Sequence, residues 1–153
     1  MLNRRSKHWV LVADSGQARI LELQRKPYEF RLVSEIVSES RHLTSRQLDA
    51  DASGRSFHAL GTASHSIQPR ADAHQLEEER FVRSLAGTLD KAARLGIFDH
   101  LVLVCDPRTL GRLRQCIGRE TATRVADELA LDLGGLPLQQ LESRIRSVLG
   151  WKV

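Results

Sequence analysis

Cysteine is scarce in this chain: Cys105 and Cys116 are the only two. That excludes a disulfide framework and a cysteine-built metal site. Cys105 ends an apolar run and reads as a small buried residue. No stretch approaches the ~20 consecutive apolar residues of a membrane span, so no membrane insertion is expected. Lysine is nearly missing. Lys7, Lys26, Lys91 and Lys152 are the only lysines, and arginine supplies the rest of the 23 basic residues. Against 19 acidic residues this leaves +4, an excess too mild to define a nucleic-acid binder. A GC-rich coding bias is the ordinary explanation for the arginines; the guanidinium's fit to phosphate is the functional one. Four prolines and ten glycines rule out a collagen-like repeat.

What is present is the composition of a soluble globular protein, 41% hydrophobic and 27% charged over 153 residues. That is room for one domain, residues 1–153, burying roughly two-thirds of its unfolded surface. Asn3-Arg4-Arg5-Ser6-Lys7 followed by Trp9–Ala13 mimics the start of a signal peptide. The apolar run is too short for one and Asp14 breaks it, so the expectation is a cytoplasmic protein without an export signal.

Segment order carries the fold. Trp9–Ala13 is a compact apolar run closed by Asp14-Ser15-Gly16, a turn signal. Ala18–Leu23 alternates, with Ala18, Ile20 and Glu22 on one side and Arg19, Leu21 and Leu23 on the other. Phe30–Val37 alternates again, Leu32 and Ser34 against Arg31, Val33 and Glu35. Short connections favour antiparallel pairing of these three strands. Residues 39–70 have no sustained periodicity and read as a long loop, a feature usually functional or disordered. A helix is expected from Asp72, with Gln75 as its capping-box partner, a buried stripe of Phe81, Leu85, Leu89 and Ala92, and a stop at Gly96. Leu101–Cys105 reads as a strand covered on both faces. Asp106-Pro107 starts a helix running to about Ile117 and burying Leu110 and Leu113, with Gly118 as its stop. Residues 124–133 fit a strand or a helix. The last helix begins near Pro137 and buries Leu138, Leu141, Ile145 and Val148 or Leu149. With the ambiguous segment as a strand the order is β-β-β-α-β-α-β-α: an α/β fold with a single mixed five-stranded sheet in the ribonuclease-H-like order.

Particular residues carry a family resemblance. They are Trp9-Val10-Leu11-Val12-Ala13-Asp14 with Ala18-Arg19-Ile20; Gly54-Arg55-Ser56-Phe57; Glu77, Glu79, Arg80 and Phe81; Phe98–Val104; Leu110-Gly111-Arg112-Leu113-Arg114; Glu128–Leu133; and Leu136-Pro137. On these, over about residues 8–149, the chain resembles the bacterial host attachment proteins, described as required for attachment to host cells. That family in turn resembles the middle domain of archaeo-eukaryotic release factors and Pelota. In those release factors the loop before the first helix carries a Gly-Gly-Gln motif that promotes peptidyl-tRNA hydrolysis. The corresponding loop here, residues 39–70, holds Gly54, Gly61, Gln47 and Gln68 but no Gly-Gly-Gln; the only Gly-Gly pair is Gly134-Gly135. This departure argues against release-factor catalysis.

Three groups of residues have functional readings beside ordinary ones. Arg55, His58, His65 and Arg70 in the long loop could reach phosphates and bases; a turn tucked onto the core by Phe57 is the plain alternative. The spacings of His58, His65 and His74 match no zinc motif. Asp14 and Asp106 both follow strands, where ribonuclease-H-like nucleases hold metal ions. Glu77, Glu78 or Glu79, with Glu142, could complete a set such as Asp14, Glu78 and Asp106; turn and helix capping with surface glutamates is the plain alternative. Arg108, Arg112 and Arg119 would share one face if the helix reached Arg119. Residues 107–124 carry five arginines against Glu120, +4, making this the best anion-binding segment. The combined expectation is a non-catalytic binding protein without a cofactor or metal, associated with RNA, tRNA or the ribosome through Arg55, His58, His65, Arg70, Arg108 and Arg112. A homo-oligomer is compatible with the sequence. The alternative is a hydrolytic enzyme, either a degenerate peptidyl-tRNA hydrolase or a metal-dependent nuclease.

Overall fold

A computed structural model describes residues 6–24, 29–39 and 63–150, with backbone alone for 63–71. Three strands come first: β1 (His8–Ala13), β2 (Gln17–Gln24) and β3 (Glu29–Val37). They are followed by α1 (Ala63–Arg94), β4 (His100–Cys105), α2 (Pro107–Cys116), the short α3 (Arg119–Arg124), β5 (Val125–Ala130) and α4 (Leu138–Leu149). The strands form one mixed five-stranded sheet ordered β3-β2-β1-β4-β5. β2 is antiparallel to β1 and β3, while β1–β4 and β4–β5 are parallel. Parallel neighbours need crossovers; α1 lies on the path from β3 to β4, and α2 with α3 on the path from β4 to β5.

The continuous apolar runs of β1 and β4 are explained by cover on both faces. Trp9, Leu11, Ile20, Leu101 and Leu103 pack against Phe81, Leu85 and Leu89 of α1 and Leu110 and Leu113 of α2. Val10, Val12, Leu21, Phe30, Val102 and Val104 pack on the opposite face against Leu133, Leu141 and Ile145, the last two from α4. Each such leucine or phenylalanine, fully buried, contributes about 1.5–3 kcal/mol.

Several expectations are corrected. The alternation of β3 is not continuous: Leu32 pairs with Leu21 and Ser34 with Ile20, leaving Val33 as an extra residue. This bulge shifts the pleat by one, so Phe30 joins the α4 side and Ile36 the α1 side. Leu32 and Ser34 therefore do not share a face. Helix α1 starts at Ala63 rather than Asp72, and residues 63–70 are helix rather than loop. Pro69 and the Ser/His-rich composition hid this stretch, since proline removes one helical hydrogen bond. Residues 40–62 lie outside the described residues. At the other end Gly96 stands at φ 68°, as the stop requires, with its N–H on Ala93 O and that of Ile97 on Ala92 O.

Helix α2 ends at Cys116 and Ile117 is extended, so Arg119 lies on a separate helix instead of continuing the face of Arg108 and Arg112. Gly118 opens α3 without a side-chain cap of its own. Asp90 of α1 replaces it, accepting from Gly118 N at 2.8 Å and from the Thr121 hydroxyl. A Cβ at Gly118 would stand 3.3 Å from that carboxylate, which would have to give by a few tenths of an ångström. The ambiguous segment resolves as strand β5, paired from Val125 to Ala130 with β4. On α4, Leu141 and Ile145 are buried as expected, but Leu138 is 37% exposed.

Candidate functional site

Ala13 of β1 pairs with Cys105 of β4, so Asp14 and Asp106 leave the sheet at the same edge. Asp14 closes the β1–β2 turn. Its Oδ1 accepts from the backbone N–H of Gly16 at 2.8 Å and of Gln17 at 2.9 Å, and its Oδ2 from Gln17 Nε2 at 3.3 Å. This is the local side-chain mimicry of a turn that aspartate makes readily. The Gln17 amide also donates to Gly134 O at 2.6 Å. Arg19, 9% exposed, donates to Gly134 O at 3.0 Å and to Leu136 O at 2.6 Å. The β1–β2 hairpin thereby grips the turn that leads into α4. Gly134 is needed at this contact, because a Cβ there would lie 2.8 Å from Asp14 Oδ2.

Asp106 caps α2, with Oδ2 accepting from Thr109 N at 3.2 Å. Its Oδ1 is buried and has no hydrogen-bond partner, the one such side-chain atom among the described residues. The end of α2 that would attract an anion therefore already holds a carboxylate. Glu78 faces elsewhere: Oε2 accepts from Arg112 Nη1 at 2.8 Å and Oε1 lies 3.3 Å from His74 Nε2. Among the described residues no group of three or more histidine, cysteine or acidic side chains is placed to hold a metal ion. Asp14 and Asp106 are brought to one edge; Glu78 is engaged between α1 and α2, and Glu142 sits on α4.

The arginine-rich segment is not one open face. Arg112, expected to bind an anion, has a side chain only 16% exposed and paired with Glu78, whose side chain is 15% exposed. Arg114 Nε donates to Glu128 Oε2 at 2.6 Å. Arg124 donates to Phe98 O at 2.8 Å and lies over the Phe98 ring. Arg108 and Arg119 are exposed. Arg55 and His58 lie outside the described residues; His65 and Arg70 fall on the first turns of α1, described by backbone alone.

Sequence reasoning missed the Arg19–Gly134–Leu136 junction and the Glu78–Arg112 pair. The first had a signal: Arg19 sits on the same side of β2 as Leu21 and Leu23, a lone cation on an apolar face. The second had none, since residues 34 positions apart meet only through the packing of α1 on α2.

Cys105 is fully buried. Burial pushes its thiol up from 9.0 to about 12, and the neighbouring Asp106 carboxylate adds to the effect; Glu128 and Asp14 add less, while a hydrogen bond with the Ala13 backbone opposes. Between pH 9 and 12 the unfolded chain has lost this proton and the folded chain keeps it, so stability falls as pH rises through that window. The slope is about 1.4 kcal/mol per pH unit at most, and below pH 9 there is no contribution. Urea denaturation across this range is expected to show the decline in the wild type and a shallower one in Cys105→Ala.

A family model described as "protein required for attachment to host cells" matches residues 9–145, from β1 to Ile145 on α4. No curated protein matches the chain.

Proposed function

We propose a binding role without catalysis for this chain, which belongs to the family of proteins required for attachment to host cells. The observation that carries the reading is the occupation of its carboxylates. Asp14 is held by three donors of the β1–β2 turn, Asp106 caps α2, and Glu78 is paired with Arg112. Each acid of the set Asp14, Glu78 and Asp106 has a structural task. The partner in this reading is RNA, free or on the ribosome, and the protein is cytoplasmic, so that the attachment in the family's description is an indirect effect. The spatial order β3-β2-β1-β4-β5, with β2 opposed to the other described strands, supports a ribonuclease-H-like fold and kinship with the release-factor middle domain. Arg108, exposed where α2 begins, is the cation of that helix left for a phosphate; Arg55, His58, His65 and Arg70 complete the surface, while Arg112 serves to fasten α2 to α1.

One observation favours a hydrolytic reading instead. Asp106 Oδ1 is buried without a partner, and a catalytic role is one of the explanations such a group calls for. The two readings separate by experiment. In an ultraviolet-crosslinking pull-down the protein is expected to bring down RNA that RNase treatment removes. It is expected to release no peptide from peptidyl-tRNA and to cleave no RNA with Mg²⁺ or Mn²⁺. Cleavage that disappears in folded Asp14→Asn and Asp106→Asn variants would establish the enzyme.

A further inference from the structure

At 100° per residue, Arg80, Arg83, Gly87, Lys91 and Arg94 of α1 fall within an arc of about 80°. All five are exposed. No carboxylate falls inside the arc. Glu77, Glu79 and Asp90 flank the arc, and of these Asp90 is turned to Gly118 and Thr121. Arg119 follows Gly118 and so stands beside the C-terminal half of this row. Glu39 and Glu77 share a groove with Arg80 and Phe81, which leaves the end near Arg94 the more positive. The last-turn cations Lys91 and Arg94 also complement the helix dipole; Arg80 and Arg83 lie about three turns earlier, beyond its reach.

Arg108, Arg119 and Arg144 are also exposed, but stand singly on α2, α3 and α4. Arg19, Arg31, Arg112, Arg114 and Arg124 all engage acceptors of this chain. The four cations of the α1 row have no ion pair or hydrogen bond among the described residues. At the middle of the row, a Cβ on Gly87 would meet nothing within 4 Å, so the helix backbone can be approached closely there. The row from Arg80 to Arg94 is about 21 Å long, enough to pass several backbone phosphates of a duplex. Trp9, Phe30, Phe81 and Phe98 are all buried, so among the described residues no phenylalanine or tryptophan ring is free to stack on splayed bases.

We propose that the outer face of α1 docks the phosphate backbone of a double-helical nucleic acid, independently of its sequence. The inference rests on the nucleic-acid reading above but assigns a different face from the start of α2. Its test is a titration of a labelled RNA duplex of about 20 base pairs between about 50 and 200 mM salt. With three to four cations engaged, log affinity is expected to fall against log salt with a slope of about −3. The variant Arg80→Gln, Arg83→Gln, Lys91→Gln, Arg94→Gln keeps good helix formers, and circular dichroism checks its fold. It is expected to bind at least ~10-fold more weakly at the low-salt end, with a slope near zero. Arg144→Gln, by contrast, an exposed position on α4 across the sheet from α1, should leave affinity and slope at their wild-type values. Wild-type affinity and slope in the fourfold variant would overturn the proposal, as would no duplex binding by wild type at low salt. Binding to polyglutamate without binding to the duplex would overturn it in favour of an acidic protein partner. RNA crosslinking retained by the fourfold variant would overturn this face and leave the RNA reading standing.

Discussion

Replacing Arg19 by methionine is expected to destabilise the protein by about 2–3 kcal/mol. The change should appear as a lower urea midpoint with an unchanged slope. Methionine keeps the packing of the arginine stem but removes donors to Gly134 O and Leu136 O. Hydrogen bonds from a charged donor contribute about 1.5–3 kcal/mol each. Two effects reduce the sum: Gly134 O keeps its bond from Gln17 Nε2, and the guanidinium no longer has to be desolvated. A variant with the wild-type midpoint would show that the grip of β2 on the turn before α4 is dispensable.

Asp14→Ala is expected to cost about 2 kcal/mol. The carboxylate holds two backbone N–H groups of its turn and orients the Gln17 amide, which in turn reaches Gly134 O. Removing it loosens both ends of one junction, so its effect and that of Arg19→Met should not add. The double variant is expected to lose less than the sum of the two, measured as a double-mutant cycle in urea. Full additivity would mean that the two residues act on separate parts of the fold.

Most of the sheet was legible because its signals are local. Trp9–Ala13 and Leu101–Cys105 are apolar throughout since both faces of β1 and β4 are covered. Asp106-Pro107 and Gly96 mark their helix ends through backbone chemistry visible in two residues. What was hidden depends on contacts between distant segments. The bulge at Val33 is set by pairing with β2, not by the composition of β3. The break between α2 and α3 needs Asp90, 28 residues before Gly118, as the replacement cap. The arginines of residues 107–124 read as an open cationic face only until their partners are known: Glu78 and Glu128 come from other elements, and Phe98 O from outside the segment. Asp14 and Asp106 were legible as acids that each follow a strand, but whether they serve turns or a metal is written in their hydrogen bonds, not in their spacing.

The claim that these acids fasten the fold and do not serve catalysis has a direct test in thermal unfolding of wild type and Asp14→Asn, each with and without Mn²⁺. Carboxylates gathered for a metal repel one another, so neutralising one stabilises the apo-protein, and the ion raises the midpoint of the wild type by mass action. A carboxylate that holds a turn behaves oppositely. The account predicts a lower midpoint for Asp14→Asn, by about 1 kcal/mol of lost charge-assisted hydrogen bonding, and no shift of either protein with Mn²⁺. A wild-type midpoint that climbs with Mn²⁺, together with an Asp14→Asn variant more stable than wild type and indifferent to the ion, would contradict it.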